Sequence, residues 1–66
     1  MTVTVNGRAQ DIEPGETVES LLDRLGLAAH YALVERNGEP LERARYGVTA
    51  LEAGDTLVVA RPVAGG

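Results

Sequence analysis

Residues 17–27, T-V-E-S-L-L-D-R-L-G-L, constrain this chain more than any other stretch. Val18, Leu21, Leu22 and Leu25 recur at i, i+3, i+4 and i+7, which places them on one face of an α-helix. Thr17 is suited to cap the amino end, Glu19 to sit at the positive end of the helix dipole, and Gly26 to end the helix, with Leu27 closing over it. That stripe must be buried against something, and the rest of the chain reads as strands.

T-V-T-V alternates Val3 and Val5 against Thr2 and Thr4, a half-buried strand, and Asn6-Gly7 accepts the positive φ angles of a tight hairpin. A second strand follows through Ala9 to Glu13, and Pro14 and Gly15 break the ladder ahead of the helix. Residues 31–36, Y-A-L-V-E-R, predict a third strand ending at a second Asn-Gly pair, Asn37-Gly38. Its apolar residues are consecutive, so either Tyr31 and Leu33 or Ala32 and Val34 face inward. The segment 40–51 is irregular, with a short strand at 40–42, and Glu52 to Asp55 form a turn. The last strand, T-L-V-V-A from Thr56, carries an apolar run that suits a central strand buried on much of both faces.

With 66 residues there is room for one core, because a chain this short buries only about 60% of its unfolded surface. The order β-β-α-β-(β)-β then predicts an α+β fold, one helix across a mixed sheet of four or five strands with the first and last strands parallel neighbours. A single domain over 1–61 is expected, followed by a flexible tail over 62–66.

The chemical inventory is short. There is no cysteine, hence no thiolate, no sulfur ligand and no disulfide framework, which fits a reducing cytoplasm. No apolar run is long enough to span a bilayer, and M-T-V-T-V-N-G-R lacks the regions of a signal peptide, so no membrane partner and a cytoplasmic location are expected. Ten acidic against six basic residues give a net charge of -4, which argues against nucleic acid and for a protein partner. His30 has no second ligand residue to share a metal and reads as a surface histidine. Ser20 reads as a helix-start residue rather than a nucleophile, and Glu13, Glu16, Glu19 and Asp23 as a solvated face rather than paired catalytic carboxylates. Arg36, Arg43 and Arg45, with Arg61, are candidates for a cationic rim facing an acidic partner. An autonomous enzyme is not expected. All six basic residues are arginine, so no lysine amine is present to attack an activated acyl group on the same chain.

The chain finishes R-P-V-A-G-G. Pro62 removes a backbone donor and favours leaving the sheet, and an extended chain from Pro62 to Gly66 reaches about 16 Å, enough to enter a partner's active site. Gly65 and Gly66 let two backbones approach closely in a narrow channel. The terminal carboxylate, with a pKa near 3.5, is an anion and a poor electrophile until ATP activates it. An adenylated terminus is a mixed anhydride that a sulfur nucleophile can attack, giving a thiocarboxylate.

Over nearly its whole length the sequence resembles the ThiS family of thiamin-pathway sulfur carriers. The resemblance is carried by V-N-G at 5–7, G-E-T-V-E-S-L-L-D-R-L-G-L at 15–27, E-R-N-G-E at 35–39, L-E-A-G-D at 51–55 and the final Gly65-Gly66. It implies a ubiquitin-like β-grasp fold with sheet order 2-1-5-3-4. It also implies that Gly66 is adenylated with ATP by an E1-like, ThiF-type adenylyltransferase and converted to a thiocarboxylate with sulfur from a sulfurtransferase or persulfide donor. A ThiG-type thiazole synthase then takes the sulfur. By the same resemblance no cofactor or metal is bound, Pro62, Val63, Ala64 and Gly65 insert into the partner, and the exposed face of the last strand docks. Where family members often have a tryptophan, the nearest aromatic here is Tyr46. The tail also looks like that of the molybdopterin-synthase small subunit, a related carrier and the alternative reading. A ubiquitin-like modifier of lysines and a noncovalent β-grasp interaction domain are further alternatives.

Overall fold

A computed structural model describes residues 1–61, so the expected tail and its residues Pro62, Val63, Ala64, Gly65 and Gly66 lie outside the described residues. The chain runs β1 (Thr2–Val5), β2 (Arg8–Asp11), α1 (Val18–Arg24), β3 (Leu33–Arg36), β4 (Glu39–Leu41), a 3₁₀ turn (Arg43–Arg45) and β5 (Thr56–Ala60). The five strands form one sheet in the order β2-β1-β5-β3-β4. β1 and β5 are parallel, and the β1–β2, β3–β5 and β3–β4 pairs are antiparallel. This is the α+β, ubiquitin-like β-grasp arrangement that the sequence implies.

Both hairpins close through Asn-Gly. Asn6 and Gly7 have φ of 51° and 82°, Asn37 and Gly38 of 53° and 84°, the paired positive values a two-residue type I′ loop requires. The helix begins in a capping box. The Ser20 N–H donates to Thr17 Oγ1 at 3.1 Å, and the Thr17 N–H donates to Ser20 Oγ at 2.9 Å. Val18 and Glu19, the first two helical residues, donate their N–H groups to the Thr49 and Tyr46 carbonyls, so the irregular segment 46–51 caps the helix from outside. At the other end Gly26 has φ of 70°, the Gly26 N–H reaches the Asp23 carbonyl, and the Leu27 N–H reaches the Leu22 carbonyl. That pair of bonds is a Schellman stop, and Leu27 packs on the core as such stops favour.

The helix buries Val18, Leu21 and Leu22 against Val3, Val5, Val34 and Leu57, with Leu25 and Val59 half-buried at the margin. Several expectations are corrected or completed. The second strand spans 8–11 rather than 9–13, and Ile12 turns into the core just beyond it. The short fourth strand spans 39–41 rather than 40–42. The third strand spans 33–36 rather than 31–36; in this stretch the inward pair is Ala32, just before the strand, and Val34, while Tyr31 and Leu33 are 67% and 55% exposed. β5 is not buried on both faces: Leu57 is fully buried, Val59 half-buried, and Val58 is 49% exposed. The reason is that, among the described residues, the seven-residue helix covers one face and no second layer covers the other.

Tyr46, the aromatic residue nearest the L-E-A-G-D turn, belongs to the core. It is buried, and its hydroxyl donates to the Ala32 carbonyl at 2.8 Å, tying the end of the 3₁₀ turn to the start of β3. A phenol hydroxyl with a buried partner satisfies its own polar end while adding aromatic area to a core that contains no other ring.

Candidate functional site

The arrangement with a bearing on function is β5 and what holds it, because this strand leads to R-P-V-A-G-G. It lies between β1 and β3, and each end is gripped by an asparagine from a hairpin. At its start the Asn37 N–H donates to the Thr56 carbonyl at 2.7 Å, and the Thr56 N–H donates to Asn37 Oδ1 at 2.9 Å. Towards its end the Val59 N–H donates to Asn6 Oδ1 at 2.8 Å, and Asn6 Nδ2 donates to the Val59 carbonyl at 3.0 Å.

Asp55, immediately before β5, is only 6% exposed and fully partnered. Its carboxylate accepts from Arg36 Nε at 3.0 Å, from Asn37 Nδ2 at 3.0 Å and from the Glu52 N–H at 2.9 Å, with a second Arg36 nitrogen at 2.9 Å. Burial pushes this carboxyl upward, but the hydrogen bonds from Glu52, Asn37 and Arg36, with the Arg36 charge, outweigh burial and hold it below the usual 3.8. The folded state therefore binds the Asp55 proton more weakly than the unfolded chain. The stability this provides is complete well above pH 3.8 and is lost as pH falls through that value and on through the lower folded one. Asp55→Asn is expected to cost about 2 kcal/mol at neutral pH, since a charge-assisted bond is lost beside a half-buried guanidinium. The difference in melting temperature between variant and wild type should shrink in acid. A constant difference from pH 7 to pH 3 would show that the charge of Asp55 does not contribute.

The open face of the sheet carries Thr56, Val58 and Ala60 of β5. Register pairs Ala60 with Leu33 and Val58 with Glu35, and Glu35 in turn with Pro40. Leu33, Val58, Ala60 and Pro40 thus form an exposed apolar strip along a shallow cleft of about 330 Å³. It runs parallel to β5 towards Arg61, which is also exposed.

The remaining candidates resolve differently. His30 is exposed, edge-on to Tyr31 with ring centroids 6.5 Å apart. Ser20 is a capping residue. Glu16 pairs with Arg24 at 3.1 Å, and that hydrogen bond holds its carboxyl below the usual range. Glu13, Glu19 and Asp23 are exposed. Among the described residues no group of three or more His, Asp or Glu is placed to hold a metal ion, and no helix is long and apolar enough to cross a membrane. Of the candidate cationic rim, Arg36 is paired with Asp55, while Arg43, Arg45 and Arg61 are exposed, Arg43 reaching the Tyr31 carbonyl at 3.4 Å. Sequence reasoning missed Asn6 and Asn37 as clamps and Asp55 as a lock. The signal present was the pair of Asn-Gly turns, but the side-chain partners lie up to 53 residues away and do not show in a linear pattern.

Comparison with known proteins places these features in a family. The ThiS family model matches residues 3–66. The crystal structure of a thiamine biosynthesis protein, ThiS, from Geobacter metallireducens is similar with a TM-score of 0.80 and 38% identity, covering all of both chains. SAMP1 from Haloferax volcanii is similar with a TM-score of 0.62 and 26% identity, over 98% of this chain and 97% of that one. A thiazole synthase of Magnetococcus marinus is 36% identical over all 66 residues. The chain spans about a fifth of the length of the curated relatives it matches. The motifs that carry the resemblance coincide with the residues that hold β5: V-N-G supplies Asn6, E-R-N-G-E supplies Arg36 and Asn37, and L-E-A-G-D supplies Asp55. On the match over residues 3–66 and the full-length likeness to a solved ThiS protein, this chain belongs to the ThiS family.

Proposed function

We propose that this chain is a sulfur carrier for thiazole formation in thiamin biosynthesis, with the Gly66 carboxylate as its working group. The observation that carries the reading is the union of family membership with a strand, gripped on both sides, that leads within six residues to a terminal Gly-Gly. Support for the receiving partner comes from a thiazole synthase whose polypeptide contains a segment resembling this entire chain.

In this reading a ThiF-type adenylyltransferase joins the Gly66 carboxylate to the AMP portion of ATP and releases pyrophosphate. The outer sulfur of a persulfide donor then displaces AMP to give an acyl disulfide, a second enzyme thiol attacks the donor's sulfur and leaves with it as a disulfide, and a ThiG-type synthase takes the sulfur from the Gly66 thiocarboxylate so released. The chain itself supplies reach, a small terminus and a docking surface, while its partners supply the chemistry. The exposed strip of Leu33, Val58, Ala60 and Pro40 lies on the strand that leads to the tail, so an enzyme receiving Gly66 is positioned to cover it. The tail sequence R-P-V-A-G-G favours one second reading, the molybdopterin-synthase small subunit, which shares every step but the acceptor.

The test is the intact mass of the protein isolated from its native cells. The expected result is a species with one oxygen replaced by sulfur, located at Gly66 by fragmentation and reactive towards an alkylating agent. Fragmentation matters because oxidation of Met1 gives nearly the same shift. Sulfur transfer on addition of thiazole synthase, and none to molybdopterin synthase, selects the first reading. A protein that stays unmodified with ATP, a sulfur source and extract of its own cells would sink both.

A further inference from the structure

We infer that Asn6 is a positioning residue for the C-terminal segment, its carboxamide setting the point on β5 beyond which the chain leaves the sheet. β1 ends at Val5 because Asn6-Gly7 turns the chain, yet β5 continues three residues past Leu57, the register partner of Val5. On that side the peptide groups of Val59 face no strand. The Asn6 side chain takes the place of the missing strand residue: Oδ1 accepts from the Val59 N–H and Nδ2 donates to the Val59 carbonyl. Its own N–H donates to the Leu57 carbonyl at 2.9 Å, continuing the parallel ladder by one step.

The turn alone does not require asparagine. A type I′ loop accepts Asp-Gly or Gly-Gly equally well, but aspartate offers no donor and glycine neither group. Only a carboxamide on a short stem answers both groups of Val59 from this position. On the opposite edge Ala60 pairs with Leu33, so Val59 and Ala60 are the last residues paired among the described ones, and Pro62 has no N–H with which to extend the ladder. The Asn6 bonds to Val59 and the pairing of Ala60 with Leu33 therefore set the direction in which the chain reaches Arg61.

This role rests on the carrier reading above, and its size can be separated from a trivial length effect. If, as the carrier reading requires, residues 61–66 extend into the partner, releasing Val59 and Ala60 lengthens that segment from six to eight residues, and effective concentration falls roughly as the −3/2 power of length, so dilution alone is worth less than about twofold. Loss of direction acts on the geometry of attack and is worth more.

The experiment compares Asn6→Gly, which tolerates the positive φ, with Asn37→Gly, which removes the matching grip at the other end of β5. Amide exchange and backbone relaxation are followed at Leu57, Val59 and Arg61, with kcat and KM for ATP-dependent adenylation by the cognate enzyme. In Asn6→Gly, exchange at Val59 should rise by about tenfold or more, the loss of one well-made hydrogen bond, with Leu57 unchanged. Its kcat/KM should fall by about fivefold, beyond the dilution limit. Asn37→Gly should lower the melting temperature yet leave Val59 exchange and kcat/KM near wild type. Asn6→Asp, which keeps the acceptor and loses the donor, should fall between, and it carries the comparison if the glycine variant does not fold. Unchanged exchange at Val59 overturns the clamp. Raised exchange with kcat/KM within about twofold of wild type, or an equal loss in Asn37→Gly, overturns the positioning role. Wild-type protein that is never adenylated overturns the carrier reading and the positioning role with it, whatever the exchange shows.

Discussion

On the carrier reading, Gly66→Val is expected to abolish ATP-dependent activation and to leave the thermal unfolding of the protein unchanged. The two halves of this result have separate causes. Among the described residues the buried core is built from residues 3–57, with Leu25, Leu27, Leu41 and Val59 at its margin, and the substitution alters none of these side chains. At the reacting end, a β-branched side chain replaces a hydrogen next to the carboxylate that must meet the α-phosphate of ATP. A displacement of about 1 Å at a reacting centre costs on the order of a hundredfold in rate, and a valine side chain in a channel shaped for glycine displaces by at least that much. Gly66→Ala, with one methyl, should retain part of the activity. The readouts are pyrophosphate release with the adenylating enzyme and the melting curve of the isolated protein. A valine variant activated as fast as wild type would rule out a narrow channel and return Gly-Gly to the status of an unremarkable terminus.

What could be read from the sequence was what depends on neighbours in sequence. The helix stripe at Val18, Leu21 and Leu22, its Thr17 cap and its Gly26 stop are local periodic signals, and the structure carries each of them. Both Asn-Gly hairpins are local in the same sense. The inward face of β3 was not legible because A-L-V offers apolar residues to both sides, and only the placement of the helix decides that Ala32 and Val34 are covered and Leu33 is not. The apolar run of β5 was misread for a related reason. An exposed Val58 and a buried Leu57 look alike in a composition, and the missing second layer is a property of the whole fold.

The lock at Asp55 shows the same limit more sharply. In the linear sequence L-E-A-G-D is a turn signal and Arg36 a surface cation, but the β3–β5 register brings Arg36 opposite Leu57 and thereby beside Asp55. The pairing joins the end of β3 to the turn that launches β5, as Asn6 joins the first hairpin to its far end. The candidate site is therefore legible in two unequal parts. The chemistry proposed for Gly66 is argued from the Gly65-Gly66 pair itself, whereas the Asn6 bonds that hold Val59 join residues 53 positions apart.

Leu22→Ala is expected to cost about 2 to 5 kcal/mol, the range for truncating a fully buried leucine, since transfer free energy and an unfilled cavity add. Leu22 is completely buried on the helix face that covers the sheet, and among the described residues no second α-helix is available to close over the gap. A chain of 66 residues has a total stability of roughly 3 to 10 kcal/mol at 0.05–0.15 kcal/mol per residue, so this one truncation removes about half of it. The melting temperature should fall by about 10 °C or more, and the denaturant midpoint should drop with little change in slope. Val58→Ala provides the internal contrast, because that side chain is about half exposed on the uncovered face and should cost about 0.5 kcal/mol or less. If the two variants melt together, the helix does not pack on the face assigned to it. If Leu22→Ala melts far below Val58→Ala while Val58→Ala alone weakens association with the adenylating enzyme, stability and docking are divided between the two faces of one sheet.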